Sequence, residues 1–343
     1  MKRILFASVV VFVAIIMSVS CTRTNTNGEG YKPIIGLSLD SLVVERWRRD
    51  VDSFTRAATD LDATVKLRVA NQDADTQIAQ IKNLVDSGID VLVVIPNHAD
   101  KLTEVCRMVE RKGIPVISYD RLVNRANVDL YISFDNVQVG YLMAHTALMA
   151  RPKGNYIIIN GAITDNNAYM INRGYHEVLG PQIATGTIQL VKEIWPSDWI
   201  SDEVKSRFEM LLSEEKNIDV VLCGNDMLAE TVIGVLSENR MLGKTLVLGQ
   251  DAELSACQRV AEESQYATIY KPIEKLSLKA AALAVMLAKG EKLPATETIN
   301  DGLYEVPYVK LEPILVTKES LEATVIKDGF HQREDVFRNV SNH

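Results

Sequence analysis

From residue 33 onward the chain alternates between short apolar, β-branched runs and longer amphipathic stretches. IIGLSL (34–39), TVKLRVA (64–70), DVLVVI (90–95), IPVISY (114–119) and LYISF (130–134) have the length and composition of strands, while 43–60, 74–87, 99–112 and 137–150 carry helical spacing. The second half repeats the scheme. NYIIIN (155–160), IQLVKEI (188–194), DVVLCG (219–224), TLVLGQ (245–250) and ATIYK (267–271) predict strands; 167–179, 201–215, 226–239, 253–263 and 273–289 predict helices. Strands this apolar belong in parallel sheets covered by helices on both faces. Strand–helix alternation at this spacing makes doubly wound α/β domains with right-handed crossovers. About ten such units exceed one compact open sheet, so the pattern predicts two doubly wound parallel-sheet lobes with a cleft between them. A (β/α)8 barrel is the alternative, but no clean eight-fold count favours it.

The first twenty or so residues break this pattern. Lys2 and Arg3 precede an unbroken apolar run, ILFASVVVFVAIIM (4–17), followed by Ser18-Val19-Ser20-Cys21. That is the layout of a secretory signal, too short for a comfortable membrane span of about 20 residues. A cysteine after small residues predicts lipidation at Cys21, although Ser18 stands where a lipoprotein signal usually has leucine. Retention as a membrane anchor with an incidental cysteine is the competing possibility. Residues 22–32 (TRTNTNGEGYK) read as a flexible polar tether.

The formal charge of −8 argues against a nucleic-acid partner, which needs a basic face to neutralise phosphates. Loss of Lys2 and Arg3 with the signal makes the mature chain more acidic still. Cys106, Cys223 and Cys257 are scattered, with no CxxC and no metal-ligand spacing, and read as small buried hydrophobes. The five histidines are equally dispersed. No phosphate loop, dinucleotide fingerprint, HExxH or nucleophile elbow occurs, so neither a nucleotide cofactor, a metal nor a catalytic residue is expected.

What recurs instead is polar residues just past the strands, where open parallel sheets bind ligands. Asp120-Arg121 follow the fourth strand, Asp165, Asn166 and Asn167 follow NYIIIN, and Asn225-Asp226 follow DVVLCG. Gln250-Asp251 follow TLVLG, and Lys271-Pro272 end ATIY. Glu45-Arg46-Trp47 lie after the first strand; Trp195 and Trp199 lie after IQLVKEI. Carboxylates, amides and cations suit hydroxyls that both donate and accept, and indole suits the C–H faces of a sugar ring. Each residue has a plainer alternative: an Asp or Asn after a strand is usually a helix N-cap, Trp47 on a helix is usually core, and Arg46 alone is usually a solvated charge.

The stretches LVVERWRRD, GIDVLVVIP, VISYDRLV, DLYISFDNVQVG, TDNNA, GNDMLA, GQDAEL, YKPI and TVIKDGFH resemble the D-xylose-binding proteins of bacterial ABC importers, within the ribose/galactose-type periplasmic sugar-binding proteins. The resemblance runs from about residue 33 to 331. It implies two lobes joined by three crossing strands, near Asp135, Lys271 and Glu305, with a sugar buried between them. The chain would then divide into a signal (1–21), a tether (22–32), one lobe (33–135 plus 272–305), a second lobe (136–271 plus 306–331) and a tail (332–343). The implied ligand contacts are Arg46, Asp120 and Arg121 from the first lobe, Asp165, Asn167, Asn225 and Asp251 from the second, and Lys271 from the hinge. Trp47 and Trp199 would sandwich the ring; Trp195-Pro-Ser-Asp-Trp199 departs from the family's spacing. The implied partners are a monosaccharide, D-xylose foremost, and the permease subunits of an ABC transporter, served by an extracytoplasmic monomer; the family is mostly periplasmic and soluble, so a lipid on Cys21, holding the chain to the membrane, departs from it. A sensor handing its closed form to a membrane kinase or chemoreceptor needs the same lobes, and glucose or another pentose remains an alternative ligand. A repressor would need a DNA-binding segment where the signal stands, and an enzyme would need a reactive group.

Overall fold

The computed structural model describes residues 30–44, 46–199, 202–294 and 297–340. The signal, Cys21 and nearly all of the tether lie outside the described residues.

The strands β1 (Ile34–Leu39), β2 (Thr64–Val69), β3 (Val91–Ile95), β4 (Val116–Tyr119) and β5 (Leu130–Phe134) alternate with helices α1 (Arg46–Asp60), α2 (Ala74–Asp86) and α3 (Thr103–Arg111). Helix α4 (Asn136–Ala150) leads into the second series: β6 (Gly154–Ile159), α5 (Asn166–Ala184), β7 (Ile188–Ile194), α6 (Asp202–Glu214), β8 (Val220–Cys223), α7 (Asp226–Glu238), β9 (Leu246–Gln250), α8 (Leu254–Ala261) and β10 (Ala267–Tyr270). After α9 (Ile273–Ala288) come β11 (Glu297–Asn300), β12 (Glu305–Leu311), β13 (Ile314–Val316) and α10 (Arg333–Val336).

Two open sheets form. The first has the order β11-β12-β5-β4-β3-β1-β2 and the second β13-β10-β9-β8-β6-β7. Leaving aside the late strands β11, β12 and β13, both lobes have one winding: a first strand flanked by the second and third, then the fourth and fifth. These five are parallel in each sheet. Two open sheets exclude the barrel. Each sheet ends in two edge strands, which a closed barrel lacks, and the first sheet's inner strands β3 and β5, buried at every position, are covered on both faces. Helix α1 shows the complementary logic. Its buried stripe is apolar at Trp47, Phe54, Ala57 and Ala58, and becomes charged at Arg46 and Asp50, where the helix begins at the cleft.

Helices α4 and α5 cross at backbone contact. A Cβ on Gly140 would lie 1.9 Å from the Ile171 carbonyl oxygen, and one on Gly174 would lie 2.1 Å from that of Val137. Only glycine permits that approach.

Three crossings join the lobes. Asp135, between β5 and α4, caps α4 through the Gln138 N–H at 3.0 Å. Lys271-Pro272 connect β10 to α9, whose Leu276, Ala280 and Ala284 join the first lobe's core. The third is not at Glu305. β12 pairs with β5 in the first sheet through Tyr308–Leu311, so the chain changes lobes at Glu312-Pro313. Residues 306–311 therefore belong to the first lobe, and their alternation of Val306, Tyr308 and Lys310 is that of a strand near a sheet edge. Residues 332–340 are likewise no free tail. Val336 is buried against Val260 and Leu321, and the Asn339 amide donates to Glu262 at 2.7 Å.

Candidate functional site

The carboxyl ends of the strands in the two sheets face each other across the cleft, and the ten contacts implied by the resemblance lie there. Arg46, Trp47, Asp120 and Arg121 from the first lobe, Asp165, Asn167, Trp199, Asn225 and Asp251 from the second, and Lys271 from the hinge line one cavity of about 30 Å³. Val44 and Gln250 complete its wall.

Two arginines organise it. Arg46 extends Nη2 to Asp120 Oδ1 at 2.9 Å, Nε to Asp50 Oδ2 at 3.3 Å and Nη1 to Asp251 Oδ1 at 3.5 Å. Arg121 holds Asp40 at 2.9 Å and Asp165 at 2.8 Å. Both guanidinium groups lie against the Trp47 ring, 4.5 and 5.2 Å from its centre. Lys271 Nζ stands 3.3 Å from Asp251 Oδ1. Burial works against the charge on Arg46, but Asp120, Asp50 and Asp251 raise its pKa well above the usual arginine value. Burial likewise opposes ionisation of Asp120, and there Arg46, Lys271 and Arg121 win, holding the carboxyl below the ordinary aspartate range. For Asp165 burial wins: its pKa is raised despite Arg121 and the Asn167 N–H. Three cations and three carboxylates face the cavity, so its wall carries no net charge.

Several contacts cross between lobes. Besides Arg46–Asp251 and Arg121–Asp165, Asn167 donates to the Asp120 carbonyl at 3.0 Å and accepts from the Tyr131 hydroxyl at 3.1 Å. At the mouth, the Ala99 N–H donates to the Thr164 carbonyl at 3.0 Å. A space of about 30 Å³ holds roughly one or two waters, less than a monosaccharide. A sugar therefore enters only with the lobes parted and with some of these ion pairs rearranged.

The capping alternative is resolved residue by residue. Asp165 and Asn225 do cap α5 and α7, accepting from Asn167 N and Leu228 N at 2.9 Å each, and still face the cavity. Asp165 spends its second oxygen on Arg121 and on Trp199 Nε1 at 3.0 Å. Asp251 caps nothing: α8 begins after Glu253, two residues on. Asp226, by contrast, does not line the cavity. Fully buried, it accepts from Gln265 and Thr268 side chains at 2.8 Å each, and burial pushes its pKa up to about 7. Trp199 lies flat over Gly161, where a Cβ would sit 2.0 Å from the ring.

Sequence reasoning places Gln250 at a strand end but leaves it out of the contact set, because as a neutral amide it is overshadowed by the neighbouring Asp251. It also missed Asp40 and Asp50, which hold the arginines from outside the wall. Cys106, Cys223 and Cys257 are buried and form no disulfide with one another, as their apolar settings predicted. Among the described residues no His, Cys, Asp and Glu cluster could hold a metal ion, and no helix is long and apolar enough to cross a membrane.

The model of the family described as periplasmic binding protein domain matches residues 35–292. The D-xylose-binding periplasmic protein of Haemophilus influenzae is 43% identical over 304 residues, 88% of this chain and 92% of that one. Its namesake in Escherichia coli is 39% identical over 318 residues, 92% of this chain and 96% of that one. Among solved structures, a carbohydrate transporter solute binding protein from Chloroflexus aurantiacus in complex with D-glucose shares the fold with a TM-score of 0.83 at 24% identity, covering 89% of this chain and 98% of that one. The family match across most of the chain agrees with the twice-repeated winding and with the cavity at the facing strand ends: this chain belongs to the periplasmic binding proteins.

Proposed function

We propose that the protein captures a free monosaccharide, D-xylose, between its lobes outside the cytoplasm and delivers it unchanged to the permease subunits of an ABC transporter. The observation that carries this reading is the charge-balanced cavity at the facing strand ends. Its ion pairs present both acceptors and donors, which suits a neutral polyol, and their balanced charge leaves a charged solute without a counter-charge. Trp47 and Trp199 supply ring faces for the sugar's C–H groups. Relatives at 43% and 39% identity that are named for D-xylose favour that sugar over glucose. In this reading Arg46, Asp120, Arg121, Asp165, Asn167, Asn225, Asp251 and Lys271 exchange some of their mutual pairs for sugar hydroxyls. Cys21 carries a lipid that anchors the mature chain, as the preceding signal layout suggests.

Titration calorimetry against a panel of pentoses and hexoses tests it. A buried small ligand gains up to about 1 kcal/mol per non-hydrogen atom, so xylose is expected to bind at about micromolar or tighter, with little dependence on salt. Binding weaker than about millimolar for every sugar would overturn the reading. The anchor is tested separately: palmitate should label the native protein and not Cys21→Ala.

A further inference from the structure

Buried polar side-chain atoms without a hydrogen-bond partner are rare in folded proteins. Of the six such atoms among the described residues, three, Trp47 Nε1, Gln250 Oε1 and Asp251 Oδ1, belong to the wall of this one cavity. Asp251 Oδ1 still has Arg46 and Lys271 at 3.5 and 3.3 Å. Gln250 Oε1 accepts no hydrogen bond, and the residue is only 2% exposed. Its amide cannot turn over to mend this. Nε2 donates to the Gly224 carbonyl at 2.6 Å, and an oxygen placed there would face another oxygen. Gly224 cannot shift to release it, because its own N–H is tied to the Ile159 carbonyl at 2.7 Å.

From this geometry we infer that Gln250 is a specificity-determining ligand contact, its Oε1 accepting a hydrogen bond from one hydroxyl of the bound sugar. The inference rests on the monosaccharide reading and names a residue beyond that set. The missing partner must be a donor, which excludes the ring oxygen and the C–H groups. It must be neutral, since an ammonium would unbalance the paired wall. A hydroxyl meets both conditions. It can also accept, and the unmet Trp47 Nε1–H in the same wall asks for an acceptor. A site that hydrogen-bonds a ligand hydroxyl rejects analogues lacking it, because the buried group is then left unpaired.

The test is calorimetry of the full chain and of Gln250→Met with D-xylose and with each of its monodeoxy and deoxyfluoro analogues. Gln250→Met should weaken xylose about 10-fold. For one deoxy analogue the two proteins should bind alike, and the matching fluoro analogue should behave like the deoxy one, because fluorine cannot donate. If Gln250 serves only to hold Gly224, the variant loses the same factor for every analogue and the inference is overturned. Should Gln250→Met fail to fold, a crystal structure of the native complex decides: no sugar hydroxyl within about 3.5 Å of Oε1 overturns it as well. If no sugar binds the native protein at all, the monosaccharide reading fails instead, a separate and recognisable outcome.

Discussion

Asp120 and Asp251 occupy the same place in the two lobes and converge on a single guanidinium. Each follows the fourth strand of its sheet, and each N–H bonds the neighbouring fifth strand, at Ile132 and Ile269, at 2.8 Å. Both stand at positive φ, 60° and 98°, where residues other than glycine are uncommon. Arg46 reaches the first at 2.9 Å and the second at 3.5 Å. The duplicated winding thus places one carboxylate per lobe at the cleft, and one arginine spans them.

Asp251 caps no helix but pairs with Arg46 and Lys271, so Asp251→Asn is expected to lower the Tm of the ligand-free protein only through those pairs while weakening sugar binding. Replacing a charged acceptor with an amide that must also place two donors costs roughly 1.5–3 kcal/mol, about 10- to 150-fold in Kd. Calorimetry and a thermal melt of the same sample check it. Loss of Tm with affinity retained would assign Asp251 to the scaffold.

Gly161→Ala puts a methyl group where the Trp199 ring lies. The indole is half-buried on a loop and can move away, so the expected result is a folded protein that binds sugar about 10-fold more weakly, having lost part of its stacking face. Trp199→Ala should do at least as much. Normal affinity in both variants would remove Trp199 from the site.

The crossing of α4 and α5 has no such freedom. Gly174→Ala drives a Cβ into the Val137 carbonyl, backbone against backbone, so the loss of stability should reach about 3 kcal/mol, the upper end for overpacking. Urea unfolding measures this as a lower midpoint at an unchanged slope. A midpoint within experimental scatter of the native one would show that the helices can slide apart.

Burial raises Asp226 to about 7 and Asp50 to about 6, from an ordinary 3.8. A carboxyl whose pKa is raised on folding favours the folded chain fully below its unfolded pKa and loses that contribution as pH rises through its folded value. The Tm of the ligand-free protein should therefore fall between about pH 4 and pH 7 and level off above, and Asp226→Asn should flatten that slope. An unaltered slope in the variant would mean that Asp226 is ionised in the fold.

Most of the fold was legible because its strands are nearly all apolar and separated by whole helices, so the pattern counts the units and forces covered sheets. The late strands were not. Glu297–Asn300 is largely exposed and Glu305–Leu311 opens on exposed Glu305 and carries a proline, so neither shows a buried-strand run. That is why the third crossing was placed too early. In the site, the charged residues were legible by position after strands, but sequence cannot distinguish Asp226, which turns inward to Gln265, from Asp251, which faces the cleft. Gln250 illustrates a different limit. Its importance lies in a hydrogen bond it does not make, and only coordinates record that.

Two of the three inter-lobe links, Lys271-Pro272 and Glu312-Pro313, contain a proline. The ring fixes φ near −65°, so neither proline can rotate about its N–Cα bond. The third link is pinned differently: Asp135 bonds the Leu311 carbonyl through its N–H at 2.9 Å, and its carboxylate meets Lys310 at 3.2 Å. Torsion of one lobe about the long axis of the molecule would have to pass through these stiffened points at once. The linkage therefore has fewer free torsions than three ordinary loops would give it. Lys271, set beside one of those prolines, thus brings its charge to the cavity wall from the linkage itself.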